Sequence, residues 1–160
     1  MAFLTAAEAL KWAMEIEENG ETFYNTMAAR SEDPETKALF EDLATQERRH
    51  YQVFQKMLEE VKPEPELSSV GVQYEDYEDY GDYLRAALVN ALFAGQDKGL
   101  TLARQAKDRE TALRAAMGFE KDTLLFFYDL REMVSEAERE TISKIILEEK
   151  SHLRRLTKML

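Results

Sequence analysis

The sequence predicts an all-α protein: an antiparallel four-helix bundle made of two helical hairpins joined by one long crossover. Three observations predict it. Apolar residues recur at the three- and four-residue spacing of a helix face, and no segment alternates as a strand does. Breaks are scarce, with six Gly and three Pro among 160 residues. The chain also repeats itself. Glu17 is followed by Phe23-Tyr24 and then by Glu47-Arg48-Arg49-His50, while Glu120 is followed by Phe126-Phe127-Tyr128 and then by Glu149-Lys150-Ser151-His152. A chain of this length is read as one domain, residues 1–160, long enough to bury a substantial core.

The first bundle helix is placed at about residues 5–30, opening on Thr5-Ala6-Ala7-Glu8, the spacing of a capping box. The second is placed at about 33–61. Asp33 suits the cap, Pro34 suits the first helical position, and Pro63 forces a stop. The third spans about 108–134. The fourth spans about 136–159, behind a second capping box, Ser135-Glu136-Ala137-Glu138. Within each hairpin the connection is short, which makes the paired helices antiparallel. The crossover, residues 62–107, reads differently. Pro63, Pro65 and Gly71 mark a linker, Tyr74 to Tyr83 is acidic and tyrosine-rich, and Leu84 to Phe93 has a helical pattern, beyond which Gly95 and Gly99 are interruptions.

Composition narrows the function. The absence of Cys excludes disulfides, thiolate nucleophiles, iron–sulfur clusters and Cys-ligated zinc. No basic start followed by an apolar run marks a signal peptide, and no stretch approaches the ~20 apolar residues of a membrane span. A cytoplasmic protein is the expectation. The net charge of −11 argues against nucleic acid and anionic membranes as partners. It serves as a solubilising acidic surface or draws in cations such as ferrous iron. The tyrosines at 74, 77, 80 and 83 are expected to pack the crossover or to form a homo-oligomer contact, a dimer in the simplest case.

The two histidines carry the chemistry. His50 and His152 both lie in the frame Glu-x-x-His, and on a helix residues three apart share a face. On the second helix Leu39, Leu43, Glu47, His50, Phe54, Met57 and Val61 form one stripe; on the fourth, Ile142, Ile145, Glu149, His152, Leu156 and Met159 do the same. Glu17 falls in line with Ala13, Gly20 and Tyr24, and Glu120 with Leu113, Met117, Leu124 and Phe127. Each bundle helix thus brings one carboxylate inward near its middle. Four carboxylates in a low-dielectric core repel one another unless compensated. Two divalent cations would neutralise them, and carboxylate with imidazole but no thiolate suits iron, or manganese or a mixed pair, better than copper or structural zinc. The competing readings are surface exposure of these groups or a buried ion-pair network, and few Arg or Lys lie on the stripes to supply its cations.

Neighbouring residues leave alternatives open. Glu18 is a substitute for Glu17 if the helix is rotated. Glu148 is read as solvated. Tyr24 and Tyr128 are either hydrogen-bond donors or radical relays beside the site, or plain core packing. Arg48, Arg49, Arg154 and Arg155 flank the histidines and are expected to pair with surface acids.

With these residues in place, the chain resembles the rubrerythrin-like branch of the ferritin-like di-iron carboxylate superfamily. The resemblance covers the four bundle helices and not the crossover. It implies a ferritin-like fold and a non-haem centre of two iron ions cycling between Fe2+ and Fe3+. It implies Glu17 and Glu120 as terminal or bridging carboxylates, Glu47 and Glu149 as bridges, and His50 and His152 one per metal. It implies an oxidoreductase that reduces hydrogen peroxide, or one that oxidises ferrous iron with dioxygen or peroxide as oxidant. The alternative is iron handling or sensing without dedicated turnover, and a third possibility is an adaptor bundle that keeps the site for stability. Rubrerythrins usually carry a Cys-ligated rubredoxin module; with no Cys here, the electron donor is expected to be a separate protein. Many also carry a further Glu one turn beyond the third-helix ligand, where this chain has Thr123.

Overall fold

The computed structural model describes residues 5–61 and 97–160. Among these residues there are five helices and no strand: α1 (Ala6–Arg30), α2 (Pro34–Glu60), α3 (Lys98–Gln105), α4 (Arg109–Met133) and α5 (Glu136–Met159). The fold is all-α. The linker at Pro63–Gly71, the tyrosine-rich segment Tyr74–Tyr83 and the helical pattern at Leu84–Phe93 lie outside the described residues.

Each bundle helix starts where a side chain can satisfy its first free N–H groups. Thr5 Oγ1 accepts from Glu8 N (3.1 Å) and Thr5 N donates back to Glu8 Oε2 (2.9 Å). Asp33 Oδ2 accepts from Thr36 N at 2.9 Å, with Pro34 in the first helical position. Asp108 Oδ1 accepts from Thr111 N at 2.8 Å, and Asp108 N donates to Thr111 Oγ1 at 3.1 Å. Ser135 N donates to Glu138 Oε2 at 3.0 Å. These are local, sequence-encoded stops and starts.

Packing then fixes the faces. α1 lies along α2 and α4 along α5, and the two hairpins meet through α1 with α4 and α2 with α5. The core joins Leu10, Phe23, Tyr24, Phe40 and Phe54 from the first hairpin to Leu113, Phe119, Phe127, Leu130 and Ile142 from the second, all at or near zero exposure. Phe54 and Phe127 cross the seam with ring centroids 5.1 Å apart. At one end Arg109 Nε donates to Thr36 Oγ1 at 2.8 Å, tying the start of α4 to the start of α2.

The helix α3 corrects the expectation at Gly99. Propensity makes that glycine an interruption; instead α3 runs through it and buries it. The reason is tertiary. A Cβ at Gly99 would lie 2.0 Å from the carbonyl oxygen of Asn19 in α1, so only glycine lets the two helices approach this closely. Gly99 N donates to Asn19 Oδ1 at 3.0 Å. At the other end of α3, Arg30 donates to the carbonyls of Ala103 and Ala106, groups that a helix C-terminus leaves without intrahelical partners.

A substitution separates this close approach from mere helix propensity. Alanine is the better helix former in isolation, yet Gly99→Ala forces Cβ against backbone that cannot yield. Overpacking of this kind costs about 1–3 kcal/mol. Gly99→Ala should lower the unfolding free energy from chemical denaturation by that amount, and an unchanged value would show that α3 does not dock here.

Candidate metal centre

Six groups meet at the centre of the bundle. Glu17 comes from α1, Glu47 and His50 from α2, Glu120 from α4, and Glu149 and His152 from α5. All four carboxylates are 0% exposed, and the imidazoles are 2% or less. The structure brings together all six residues singled out in the sequence, in two overlapping sets. One is Glu17, Glu47, His50 and Glu149; the other is Glu47, Glu120, Glu149 and His152. Within each set one ligand atom per residue lies within 4.8 Å of the others. Glu47 and Glu149 belong to both.

Glu149 sits between the imidazoles. Its Oε1 is 2.8 Å from His50 Nδ1 and its Oε2 is 2.8 Å from His152 Nδ1. Glu47 Oε1 and Glu120 Oε1 lie 3.3 and 3.4 Å from His152 Nδ1, and Glu17 Oε2 lies 3.6 Å from His50 Nδ1. The rings are close to parallel, with centroids 5.8 Å apart. Short as the Nδ1 contacts are, they lack hydrogen-bond alignment. Both Nδ1 atoms, both oxygens of Glu17, Glu47 and Glu149, and Oε2 of Glu120 are buried without a hydrogen bond within the protein. Unsatisfied polar atoms are costly in a core, and so many converging on one place fit a site built for cations. Carboxylate oxygen and imidazole nitrogen are donors suited to iron or manganese.

The outward nitrogens are tied down. His50 Nε2 donates to Glu148 Oε2 at 2.9 Å, and His152 Nε2 donates to Gln46 Oε1 at 2.9 Å. A proton held on Nε2 leaves the Nδ1 lone pair facing the centre. Glu148 is therefore not simply solvated, as the sequence suggested. Neither partner is visible in the periodicity of its own helix, because each contact crosses between α2 and α5. The internal repeat is the one signal that pairs them, since each stands one residue before the Glu of its Glu-x-x-His.

The tyrosines divide. Tyr24 is fully buried and its hydroxyl donates to Glu120 Oε1. Tyr128 does not reach the site. It is 36% exposed, with Arg131 and Lys150 each 5.4 Å from its ring centroid. Helix geometry accounts for this: seven residues beyond Glu120 returns to within about 20° of the same face, whereas eight overshoots by about 80°. Phe127, at 0% exposure, takes the inward place. Glu18 is exposed and Glu17 takes the inward position. Gly20 lets the helix backbone pass close to the centre, since a Cβ there would lie 2.8 Å from Glu47 Oε2. Its counterpart in the repeat, Thr123, is buried with its hydroxyl unsatisfied. Two flanking arginines make the surface pairs expected of them, Arg48 with Glu21 at 3.4 Å and Arg155 with Asp42 at 2.7 Å.

Electrostatics reflect this crowding. Burial first, and then the charge of Glu149 or Glu17, pushes Glu17, Glu47 and Glu120 well above the usual carboxylate range. Burial pushes Glu149 the same way, but the contacts and charges of His152 and His50 overcome it and hold Glu149 low. Burial opposes protonation of His50, yet Glu149, Glu47 and Glu148 outweigh it and raise the imidazole to about 9. Burial likewise opposes protonation of His152, and Glu120, Glu149 and Glu47 raise it further still. The Tyr24 phenol is pushed up by burial and by the Glu120 charge, so it stays a donor.

The rubrerythrin family model matches residues 8–160, and the chain belongs to that family. A solved structure from Thermotoga maritima, described as a putative ferritin-like diiron-carboxylate protein, superposes with a TM-score of 0.72 at 26% identity, covering 99% of this chain and 96% of that one. No curated protein matches significantly. No helix among the described residues is long and apolar enough to cross a membrane.

The raised groups dictate how the metal-free protein responds to pH. A group whose folded value exceeds its unfolded value contributes stability below the unfolded value and loses it as pH climbs through the folded one. For His50 that window runs from 6.5 to about 9. The three raised carboxylates act in the same direction, while Glu149, being lowered, acts only in acid. With chelator present, the melting temperature should fall as pH rises through the His50 window, and saturating ferrous or manganous ion should remove the fall. A flat profile without metal would show that these charges are not buried together.

Proposed function

We propose that this rubrerythrin-family protein binds two iron ions at the six-residue centre and reduces hydrogen peroxide with electrons from a separate donor protein. The observation that carries the reading is the pair of four-residue sets sharing Glu47 and Glu149. Two carboxylates common to both sets are what a bridged pair of cations requires, and each set adds its own terminal groups, Glu17 with His50 and Glu120 with His152. The T. maritima neighbour's description as a diiron-carboxylate protein supports iron over other divalent metals.

The chemistry that a bound iron pair supplies is two-electron reduction, in which the O–O bond of hydrogen peroxide breaks and two protons are taken up to give two waters. The residues of the chain do the rest. Glu47 and Glu149, common to both sets, would hold both cations and absorb changes in charge. Glu148 and Gln46 hold a proton on each Nε2 and keep the Nδ1 lone pairs directed inward. Tyr24 keeps its proton against Glu120 Oε1 and fixes that carboxylate's orientation. Phe119, at 0% exposure and packed with Glu47 against Gly20, helps to keep bulk water from the centre. The 160 residues contain no Cys and so offer no rubredoxin-type iron to feed the site.

One observation favours a second reading, iron handling or ferroxidase action without dedicated turnover. Position 123 offers a hydroxyl where many rubrerythrins offer an additional carboxylate, so one ligand exchange available to such proteins is absent here.

Two experiments test these statements. Elemental analysis should find two metal ions per chain, lost together in Glu47→Ala/Glu149→Ala; undiminished metal in the double variant rules out this centre. Stopped-flow mixing of the ferrous protein should show faster oxidation by hydrogen peroxide than by dioxygen. Oxidation by dioxygen at an equal or greater rate would replace the peroxidase reading with the iron-handling one.

A further inference from the structure

Two of the breaks in the repeat that builds the centre bear on the same half. The first concerns the imidazoles. Gln46 and Glu148 are equivalent in the repeat, and each accepts the Nε2 proton of the histidine on the opposite helix at 2.9 Å. Yet one acceptor is a carboxylate and the other a neutral amide. A carboxylate draws the Nε2 proton toward itself and leaves more electron density on Nδ1, so His50 is the stronger donor to a cation. It also brings a negative charge that Gln46 does not. Glu148 is 44% exposed, so solvent weakens its distant field, but the effect on His50 passes through a direct hydrogen bond.

The second break concerns the terminal carboxylates. Tyr24 and Phe127 are equivalent, each seven residues beyond its helix's glutamate. The Tyr24 hydroxyl donates to Glu120 Oε1 and withdraws charge from it. Phe127 has no hydroxyl, and both oxygens of Glu17 are without a hydrogen bond. No tyrosine hydroxyl draws charge from Glu17, whereas Glu120 shares its own with Tyr24. Glu17 and His50 belong to one set, Glu120 and His152 to the other.

We propose that the two metal positions differ in affinity, with the position held by Glu17 and His50 filling first and the carboxylate of Glu148 and the phenol of Tyr24 setting the difference. This rests on the two-metal reading of the centre. Glu148 is a positioning residue: it touches the imidazole and not the cation.

Anaerobic titration of metal-free protein with Co2+, followed by visible absorption and by calorimetry, reads the two positions without turnover. Wild type should titrate in two resolved steps. Glu148→Gln should weaken the tighter step by about tenfold and draw the steps together. Gln46→Glu should tighten the weaker step. Both side chains are partly exposed, and an unchanged circular dichroism spectrum confirms that the variants fold. A wild-type titration with two equal sites overturns the proposal, as does a Glu148→Gln protein whose tighter step is unmoved. A wild-type protein that takes up no Co2+ overturns the two-metal reading itself.

Discussion

Four carboxylates share the middle of a helical bundle with water excluded. No arrangement of apolar side chains makes that favourable, because each buried charge lacks its hydration and repels the next. Everything around the centre answers to this constraint. Two imidazoles supply the nearest positive charge, Glu149 is placed between them, and three of the glutamates are driven toward their neutral form. The result is a core suited to exchanging protons for cations.

Much of this was legible in the sequence, for identifiable reasons. Helix starts are set by single side chains reaching three residues ahead, so Thr5, Asp33, Asp108 and Ser135 could be read locally. The six donor residues stood out because a charged group at a core position contradicts its own apolar stripe, and the contradiction occurred four times at matched spacing. The structure brings those six together.

What was not legible depends on relations between helices. The partners of the histidines, Glu148 and Gln46, are ordinary surface-type residues on their own helices, and only the packing of α2 on α5 gives them a role. Gly99 reads as a breaker because propensity is local, whereas its need for close contact with Asn19 is not. Tyr128 differs from Phe127 by one residue and by slightly more than a right angle around α4. A sequence shows that an aromatic lies near a ligand but not which of two neighbours faces it.

The turn of α1 from Glu17 to Gly20 is held from both sides. On its outer side Asn19 receives Gly99 of α3, with no room for a methyl group between the backbones. On its inner side a Cβ at Gly20 would lie 2.7 Å from Phe119 and 2.8 Å from Glu47 Oε2, and Glu17 opens the turn as one of the six central groups. This turn has no slack. Arg30 fastens the far end of α3 back onto α1, so the helix that closes the crossover is seated at two points. Displacing α3 would thus press on the segment that carries one of the central carboxylates. The helix α3 is less a tether than a brace set against the site.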